Sequence, residues 1–527
     1  MVQENAAKGG MVVAPHYLAS RAGRDVLKEG GNAIEAMVAS AAAIAVAYPH
    51  MNALGGDGFW LIAEPGKAPV AIEACGRAAG LADRDFYAGL ARIPARGPLA
   101  ALTVGGTVDG WRKALEMARH WGGRLPLSRL LAPAEALARE GVAVTRSHSV
   151  LAMAKHAELS QQPGFAEHLL PGGRAPDEKA LLRQPTLGDT FSRLGRRGLD
   201  DFYRGELGTA MGEDLARLGS PLRIEDLRSF TARWVKPLSL DIRCGRLWNL
   251  PPPTQGVASL MMMGLFDRLA VEGAESFAHV HGLIEATKQA FLMRDRHVTD
   301  PRYMHIEPGS LLKAPLLDRL AASINREQAL PWPQPSEGGD TVWMGCIDSE
   351  GRAVSFIQST YWEFGAGIVL PSTGVLWQNR GIGFSLDPND FQALAPGRLP
   401  FHTLNPALAR LHNGETLVYG TMGGEGQPQT QAAILTRHAF FDQPLAQAVS
   451  APRWLLGRTW GEESATLKME SRFDPALIEH LMRAGHEVEM VGDFNDLMGH
   501  AGAVARYADG TLEGGADPRS DGEVSCF

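Results

Sequence analysis

Residues 338–367 read GGDTVWMGCIDSEGRAVSFIQSTYWEFGAG, and the bond between Asp340 and Thr341 divides two kinds of sequence. The segment before it, residues 331–339 (PWPQPSEGG), is too rich in proline and glycine to form a helix or a central strand. After it, apolar runs over 342–347 and 353–358 flank the turn residues 348–351, which predicts a β-hairpin. The sequence therefore predicts a linker that ends on a threonine opening a buried strand.

A threonine in this place has two interpretations. The ordinary one is a strand residue, because β-branched side chains suit strands. The other is a nucleophile: if the chain were cut before Thr341, a free α-amine would lie beside the hydroxyl. Such an amine has an ordinary pKa of about 8, which lets it accept the hydroxyl proton near neutral pH.

Several motifs in the second half of the chain favour the nucleophile, because together they resemble the small subunit of the γ-glutamyltransferase family. They are Thr341 with its Asp-x-x-Gly hairpin, Ser359-Thr360, residues 364–368 (FGAGI), Asn379, residues 400–406 (PFHTLNP) and Gly423-Gly424. The resemblance covers nearly the whole chain, including residues 250–256 (LPPPTQG) and 515–520 (GADPRS). Members of this family are N-terminal-nucleophile hydrolases, made as one chain that cuts itself before the nucleophilic threonine.

The resemblance implies an α/β fold, the αββα sandwich of these hydrolases, with stacked antiparallel sheets between helical layers. It implies cleavage between Asp340 and Thr341 into a large subunit, residues 1–340, and a small subunit, residues 341–527. The two subunits would form one αββα unit. Association of two such heterodimers is left open by the sequence.

The resemblance also implies roles for the residues around this bond. Thr341 would supply the nucleophile with its hydroxyl and the base with its amine. Ser359 aligns with a family hydroxyl residue that hydrogen-bonds the nucleophile and assists self-cleavage. Gly423 and Gly424 follow a predicted strand over 416–419, and glycines let backbone N–H groups approach a developing oxyanion. A Gly-Gly pair alone would indicate only a turn.

The substrate pocket departs from the family pattern. Glutamyl enzymes hold the substrate α-amine with an Asn-Gln pair and an aspartate, but here the loop 378–383 (QNRGIG) keeps Asn379 and has Arg380 and Gly383 in the other two places. His402-Thr403 replaces a Ser-Ser pair. A guanidinium fork recognises a carboxylate bidentately, so the pocket is expected to bind an anion. An internal ion pair is the alternative role of Arg380.

A second arginine is a reserve candidate for the substrate carboxylate. The family's own carboxylate-binding arginine aligns with Cys75, and Arg77 follows two residues later.

These departures predict a small amide that carries a carboxylate and lacks an α-amine, of which oxamate is the smallest. The family contains an oxamate amidohydrolase branch of purine (uric acid) degradation, and the chain resembles that branch. One alternative is a γ-glutamyl hydrolase or transpeptidase acting on glutathione-like amides, or an acylase for β-lactam side chains. A different class, an unprocessed binding or structural protein, disagrees with the intact Thr341, Ser359 and Gly423-Gly424.

Composition narrows the class of protein. The 527 residues are 45% hydrophobic and 21% charged, and the net charge of −8 does not suggest a nucleic-acid or membrane partner. The four widely spaced cysteines form no disulfide framework. The N-terminus lacks the pattern of a signal peptide, so a cytoplasmic protein is expected.

No metal or organic cofactor is expected, since Thr341 and backbone groups supply the chemistry. His279 and His281 lie two apart on a predicted helix over 277–296 and point to different sides.

Other helical patterns complete the prediction. Asn32, with Glu35 three residues on, caps a helix running to Tyr48, and its small alanine and serine faces place it inside the sandwich. A helix over 133–140 has Pro133 in its first turn. His148 lies in a polar region and is expected to be solvated.

Overall fold

The computed structural model of the chain describes residues 6–332, 340–457 and 466–527. Most of the predicted linker, residues 333–339, lies outside the described residues. Within the described ranges no helix is long and apolar enough to cross a membrane.

The strands, in chain order, fall on both sides of Thr341. Those of the first part are β1 (Ala6–Ala7), β2 (Gly10–Ala14), β3 (Asp57–Ala63), β4 (Val70–Ala74), β5 (Val142–Ala143), β6 (Leu181–Leu182), β7 (Arg233–Val235), β8 (Leu238–Ile242) and β9 (Gly245–Asn249). Those of the second part are β10 (Asp340–Asp348), β11 (Ala353–Tyr361), β12 (Ala407–Leu411), β13 (Thr416–Thr421), β14 (Trp454–Leu456), β15 (Leu467–Glu470), β16 (Val488–Val491), β17 (Ala501–Arg506), β18 (Leu512–Ala516) and β19 (Glu523–Cys526).

Most of the helices precede β10. They are α1 (Tyr17–Lys28), α2 (Ala33–Ala47), α3 (Thr107–His120), α4 (Leu127–Glu140), α5 (Arg146–Ala154), α6 (His156–Leu159), α7 (Phe165–Leu169), α8 (Pro185–Arg197), α9 (Asp201–Arg204), α10 (Glu206–Leu218), α11 (Ile224–Ser229), α12 (Gly256–Arg268), α13 (Phe277–His297) and α14 (Ala314–Ala322). Those that follow are α15 (Gly426–Leu435), α16 (Leu445–Ser450) and α17 (Pro475–Arg483).

Two antiparallel seven-stranded sheets form the centre of the molecule. Sheet I has the order β19-β2-β10-β11-β3-β4-β7, and sheet II has the order β1-β18-β17-β13-β12-β9-β8. Each sheet mixes strands from before and after Thr341, so neither half of the chain could form a sheet of this width alone. The inner faces meet in an apolar layer around Trp343, Phe59 and Val418.

Helices cover both outer faces. Helices α1, α2 and α3 pack on sheet I, while α12, α15 and α16 pack on sheet II. The αββα prediction is therefore confirmed. Helix α2 is buried along its whole length, because its alanines let α1, α4 and sheet I approach closely. Its predicted capping box is present: Asn32 Oδ1 accepts from the backbone N–H of Glu35, whose carboxylate accepts from that of Asn32.

The hairpin of β10 and β11 also forms as predicted, and Trp343 fixes it against sheet II. Its ring Nε1 donates to Ser355 Oγ at 2.9 Å. A Cβ added to Gly420 of β13 would lie 2.2 Å from this ring, so only glycine lets the sheets approach here. The contact brings the start of β10 to the end of β13.

Two predictions about the helical layers are wrong. Helix α4 begins at Leu127, so Pro133 lies inside it and not in its first turn. His148 is buried, not solvated, packs against the rings of His50 and Phe364, and has its pKa lowered to about 4 by burial. Its apolar neighbours come from distant parts of the chain, which the polar local sequence could not indicate.

Candidate active site

Thr341 lies at an irregularity in the hairpin. Asp340 pairs with Tyr361 and Val342 with Gln358, so two residues of β11 lie opposite Thr341. Such a bulge re-aims the side chains around it. The side chain of Thr341 is 1% exposed, and within the described residues its hydroxyl has no hydrogen-bond partner. A buried hydroxyl without a partner is costly, and nucleophiles are one reason why proteins keep such a group.

Ser359 is one of the two residues opposite Thr341. Its Oγ accepts a hydrogen bond of 2.8 Å from the backbone N–H of Tyr361. On its other side, Ser359 pairs with Asp57 of β3. The hairpin thereby brings the predicted nucleophile, the predicted helper and a buried carboxylate onto adjacent strands.

Gly423 and Gly424 form the turn between β13 and α15. Their φ angles are +110° and +51°, in the left-handed region that favours glycine. Gln255 supports this turn: its Nε2 donates to the carbonyls of Gly424 at 2.8 Å and Thr403 at 2.7 Å.

Gln255 is itself held by a buried ion pair. Arg294 of α13 donates to Gln255 Oε1 at 3.0 Å and to Glu425 Oε1 at 2.7 Å. Arg294 is 2% exposed and stacks on the ring of Phe291. The arginine therefore fixes the glycine turn from both sides. The sequence indicated only the loop 250–256, and its signal for Gln255 was the motif LPPPTQG.

The motif at residues 515–520 also supports the glycine turn, through a loop that packs against it. Arg453, buried between Asp517 and the carbonyl of Met498, holds the loop that ends at Gly499. A Cβ on Gly499 would lie 2.2 Å from the carbonyl oxygen of Met422, so this loop packs directly beneath the glycine turn. Residues 515–520 thus contribute by buried ion pairs and not as a surface turn.

Arg380 is brought to the same place. Its guanidinium is 2% exposed, lies 3.7 Å from the ring centroid of Tyr361 and donates to Thr403 Oγ1 at 3.3 Å. Tyr361 pairs with Asp340 in the β10–β11 hairpin. The carbonyls of Thr403 and Gly424 both accept a hydrogen bond from Gln255 Nε2. Arg380 is therefore connected to the predicted cleavage site through Tyr361, and to the glycine turn through Thr403 and Gln255.

Asp57 is a residue of this site that sequence reasoning missed. It is 1% exposed, and its Oδ1 accepts from the N–H of Gly76 and Gly106 and from Gln378 Nε2, at 3.1–3.2 Å. A Cβ on Gly76 would lie 1.8 Å from the carbonyl oxygen of Val104, so glycine is required for this approach. The available signal was the motif Gly-Gly-Asp-Gly at 55–58, which alone reads as a turn into a strand.

The other oxygen of Asp57 faces His402. Nε2 of His402 lies 3.2 Å from Oδ2, but the angles do not allow a hydrogen bond. Within the described residues, both ring nitrogens and this oxygen have no partner. Burial, and then the charge of Arg380, lower the pKa of His402 well below its ordinary value, so the imidazole is neutral. Burial raises the pKa of Asp57 to about 7, although Arg380 opposes the shift.

Two predicted binding residues are placed differently. The amide of Asn379 is engaged with backbone, because Oδ1 accepts from Trp362 N–H and Nδ2 donates to the carbonyl of Ala95. Arg77 lines a separate cavity of about 340 Å³, where it is partly exposed and lies 3.5 Å from Asp300. Asn379 thus holds the loop, and Arg77 lines its cavity together with Cys75.

Among the described residues, one group has the chemistry of a metal site: His281, Glu285 and His486, all buried. However, Lys288 donates to Glu285 Oε1 at 2.7 Å, and the N–H of Leu330 donates to Oε2. His281 and His486 share a hydrogen bond of 2.8 Å. The lysine ammonium already supplies the cation here, and the group lies in the helical layer over sheet II.

A sandwich of two antiparallel sheets with a buried threonine at the start of an inner strand is the architecture of N-terminal-nucleophile hydrolases. The family model for gamma-glutamyltranspeptidase matches residues 19–527, and the chain belongs to this family.

Its relatives differ in the activity that they are named for. An oxamate amidohydrolase proenzyme of Klebsiella pneumoniae is 53% identical over the full length of both chains. A glutathione hydrolase-like proenzyme of Bacillus subtilis is 41% identical over 97% of each chain. The crystal structure of a cephalosporin acylase from Bacillus halodurans, 33% identical, superposes with a TM-score of 0.91 over all of this chain and 97% of that one.

Proposed function

We propose that the chain is a self-processing amidohydrolase that converts oxamate to oxalate and ammonia. The observation that carries this proposal is the buried Arg380 guanidinium, connected through Tyr361 to the strand of Thr341, whose buried hydroxyl has no partner among the described residues. The similarity to an oxamate amidohydrolase proenzyme supports it.

Maturation begins at the bond between Asp340 and Thr341. The Thr341 hydroxyl attacks the carbonyl carbon of Asp340; the C–N bond breaks as the C–O bond of an ester forms. Water then hydrolyses the ester. The products are a large subunit ending at residue 340 and a small subunit beginning at Thr341, with a free α-amine beside the hydroxyl.

Turnover uses the same hydroxyl. The neutral amine accepts the proton of Thr341 Oγ1 as this oxygen attacks the amide carbon of oxamate. The resulting oxyanion is stabilised by the backbone of Gly423 and Gly424, and Ser359 keeps the nucleophile oriented. The amine returns the proton to the departing nitrogen, so ammonia leaves. Water, activated by the amine, then hydrolyses the oxalyl ester and releases oxalate.

The substrate carboxylate binds to Arg380. Thr403 and His402 form the neighbouring wall, because Thr403 Oγ1 accepts from the guanidinium and Nε2 of His402 lies 3.2 Å from Asp57 Oδ2. Asn379 shapes this pocket through its backbone contacts. Arg77, in its own cavity, is the weaker candidate for the carboxylate.

A second candidate function is favoured by Asp57. The sequence predicted that the pocket had lost the carboxylate that binds an α-amine, yet this residue supplies a buried one near Arg380. An ionised Asp57 beside Arg380 would suit the ammonium and carboxylate of a γ-glutamyl group, and one relative is named glutathione hydrolase-like.

Two measurements test the proposal. Purified protein should run as two fragments, near residues 1–340 and 341–527, on a denaturing gel. The matured enzyme should release ammonia from oxamate far faster than it releases p-nitroaniline from γ-glutamyl-p-nitroanilide. An intact chain with full activity would contradict the processing step, and the reverse substrate preference would favour the second candidate.

The finer assignments stay predictions: a place in purine degradation, a cytoplasmic location, a dimer of heterodimers and independence from cofactors. Cell fractionation, light scattering and activity after treatment with EDTA test the last three.

A further inference from the structure

Three neighbouring side chains of the site carry buried polar atoms that lack a partner. Within the described residues, no hydrogen bond reaches Asp57 Oδ2, Gln378 Oε1 or either ring nitrogen of His402. The three residues are 1%, 1% and 0% exposed. Because burying a polar group without a partner is costly, such groups mark places where a ligand or an ordered water satisfies them.

The contacts between these side chains fix which atoms are left over. Asp57 Oδ1 accepts from two backbone N–H groups and from Gln378 Nε2, so Oδ2 is the oxygen that remains for another donor. Gln378 Nε2 donates to Asp57 Oδ1 and to the carbonyl of Val104, both at 3.1 Å. Both partners can only accept, so the NH2 end of this amide is assigned and Oε1 is also an acceptor without a donor.

His402 adds a third acceptor. Its imidazole is neutral, because burial lowers its pKa well below the ordinary value, and a neutral imidazole has one accepting nitrogen. Nε2 lies 3.2 Å from Asp57 Oδ2, at angles that allow no hydrogen bond between them. With Nε2 as the accepting nitrogen, two acceptors lie close enough for one small donor to reach both.

The strand pairing brings these acceptors to the predicted nucleophile. Asp57, at the start of β3, pairs with Ser359 of β11. Ser359 is one of the two residues of β11 that lie opposite Thr341. The acceptors therefore lie on the strand next to the one that faces the nucleophile.

The same acceptors lie beside the arginine proposed to bind the substrate carboxylate. Gln378 is two residues before Arg380, and Thr403, which follows His402, accepts from the guanidinium at 3.3 Å. In oxamate, one carbon bears both the NH2 group and the carboxylate. A carboxylate bound to Arg380 therefore holds the NH2 group on the same side of the pocket as these acceptors.

We propose that Asp57 Oδ2, Gln378 Oε1 and Nε2 of His402 form an acceptor subsite for the NH2 group of the substrate amide, and that this subsite selects primary amides over esters. The inference rests on the proposed function. An amide NH2 group donates two hydrogen bonds, whereas an ester oxygen in the same place only accepts and would face three acceptors. A site whose buried polar groups are left unpaired by an analogue discriminates strongly against it.

The subsite also acts on the departing nitrogen. When Thr341 Oγ1 attacks the amide carbon, the nitrogen becomes basic and takes the proton from the α-amine of Thr341. It then carries positive charge until the C–N bond breaks and ammonia leaves. A hydrogen bond from a cationic nitrogen to a carboxylate is stronger than one from a neutral amide, so the contact with Asp57 tightens in the transition state and raises kcat.

Monomethyl oxalate is the matched substrate, because it keeps the carboxylate and the acyl group of oxamate. Both form the same oxalyl ester with Thr341, releasing ammonia or methanol, and both then give oxalate, which is measured. The assay is run at pH 8.5, above the pKa of about 7 to which burial raises Asp57, and Thr341→Ala gives the spontaneous hydrolysis. Matured wild-type enzyme should have the higher kcat/KM for oxamate, although methanol is the better leaving group. A preference for the ester would overturn the acceptor subsite.

Asp57→Asn inverts one group of the subsite. The three donors to Oδ1 keep the oxygen of the new amide in that position, so its NH2 group replaces Oδ2 and an acceptor becomes a donor. The ratio of kcat/KM for oxamate to that for the ester should fall by about 100-fold. Asp348→Asn is the control, since Asp348 is also buried and accepts from backbone N–H groups, but lies at the end of β10 far from Thr341. It should leave this ratio unchanged.

The outcomes separate the subsite from the proposed function. Equal losses for both substrates in Asp57→Asn would mean that Oδ2 holds an ordered water only, and would overturn the subsite while oxamate turnover by the wild type stands. No release of oxalate from oxamate by the wild type would overturn the proposed function itself. If Asp57→Asn does not fold, the wild-type preference between amide and ester decides alone.

Discussion

Replacement of Arg380 by alanine tests the substrate pocket most sharply. The guanidinium is 2% exposed, stacked on Tyr361 and bonded to Thr403, so its position is fixed before the substrate arrives. Its removal takes away the charged donor proposed for the carboxylate of oxamate. Preorganised donors lose little entropy on binding, so the loss should appear fully in the kinetics.

The expected magnitude follows from this contact. A hydrogen bond to a charged group contributes about 1.5–3 kcal/mol, and about 1.4 kcal/mol corresponds to a factor of ten. Arg380→Ala should therefore lower kcat/KM for oxamate by about 10- to 200-fold. Arg380→Lys should recover only part of this, because an ammonium cannot present a planar fork.

The assay is ammonia release by the matured variants, with complete processing checked on a denaturing gel. Oxamide is the matched substrate, since it lacks the carboxylate and should be little affected. Arg398→Ala is the matched variant: Arg398 is also buried and stacked on a tyrosine, Tyr303, at 4.2 Å, outside the proposed pocket. It should lower thermal stability without the selective loss for oxamate.

Equal losses for oxamate and oxamide in Arg380→Ala would refute the carboxylate role and leave Arg380 a structural residue. If Arg77→Ala abolished oxamate turnover while Arg380→Ala did not, the anion would bind in the cavity of Arg77. The substrate class would then survive, and the pocket assignment would be wrong.

Three further variants test the rest of the site. Thr341→Ala should remain one uncut band on a gel and be inactive; two bands would place the nucleophile elsewhere. Glu425→Gln should lower kcat for oxamate by about tenfold with KM nearly unchanged, because the turn that stabilises the transition state loosens. Glu285→Gln, at another buried ion pair, is its control. An equal loss of kcat in Glu285→Gln would contradict the role of Glu425 in supporting the glycine turn. Asp517→Asn should lower the free energy of unfolding by about 3–5 kcal/mol in denaturant titrations, as a buried pair is broken. Burial opposes ionisation of Asp517, but the charges of Arg453 and Arg519 lower its pKa below the ordinary 3.8. The ionised carboxylate therefore stabilises the wild-type fold above pH 3.8, and this stabilisation is lost as the pH falls further. Asp517→Asn should not show this pH dependence.

Local patterns were sufficient for much of the fold. The hairpin around 348–351, the capping box at Asn32 and the glycine turn after β13 each depend on residues a few positions apart, and all form as predicted. The resemblance to the family rested on motifs of the same kind, and it is confirmed over residues 19–527. Such features can be read from sequence because propensity, capping and turn chemistry act over short distances.

The electrostatic character of the site was decided only by tertiary structure. Asp57 and Arg380 are 323 positions apart in the printed sequence, and nothing near either residue indicates that both are buried in one pocket. Likewise, Arg294 reaches the glycine turn through Gln255 and Glu425, and Asn379 uses its amide for Trp362 and Ala95. The sequence alone determined which groups the chain carries around Thr341. The packing of the two sheets decided which of them share a site closed to water, and there burial and neighbouring charge set the protonation of a carboxyl that in a turn would be ordinary.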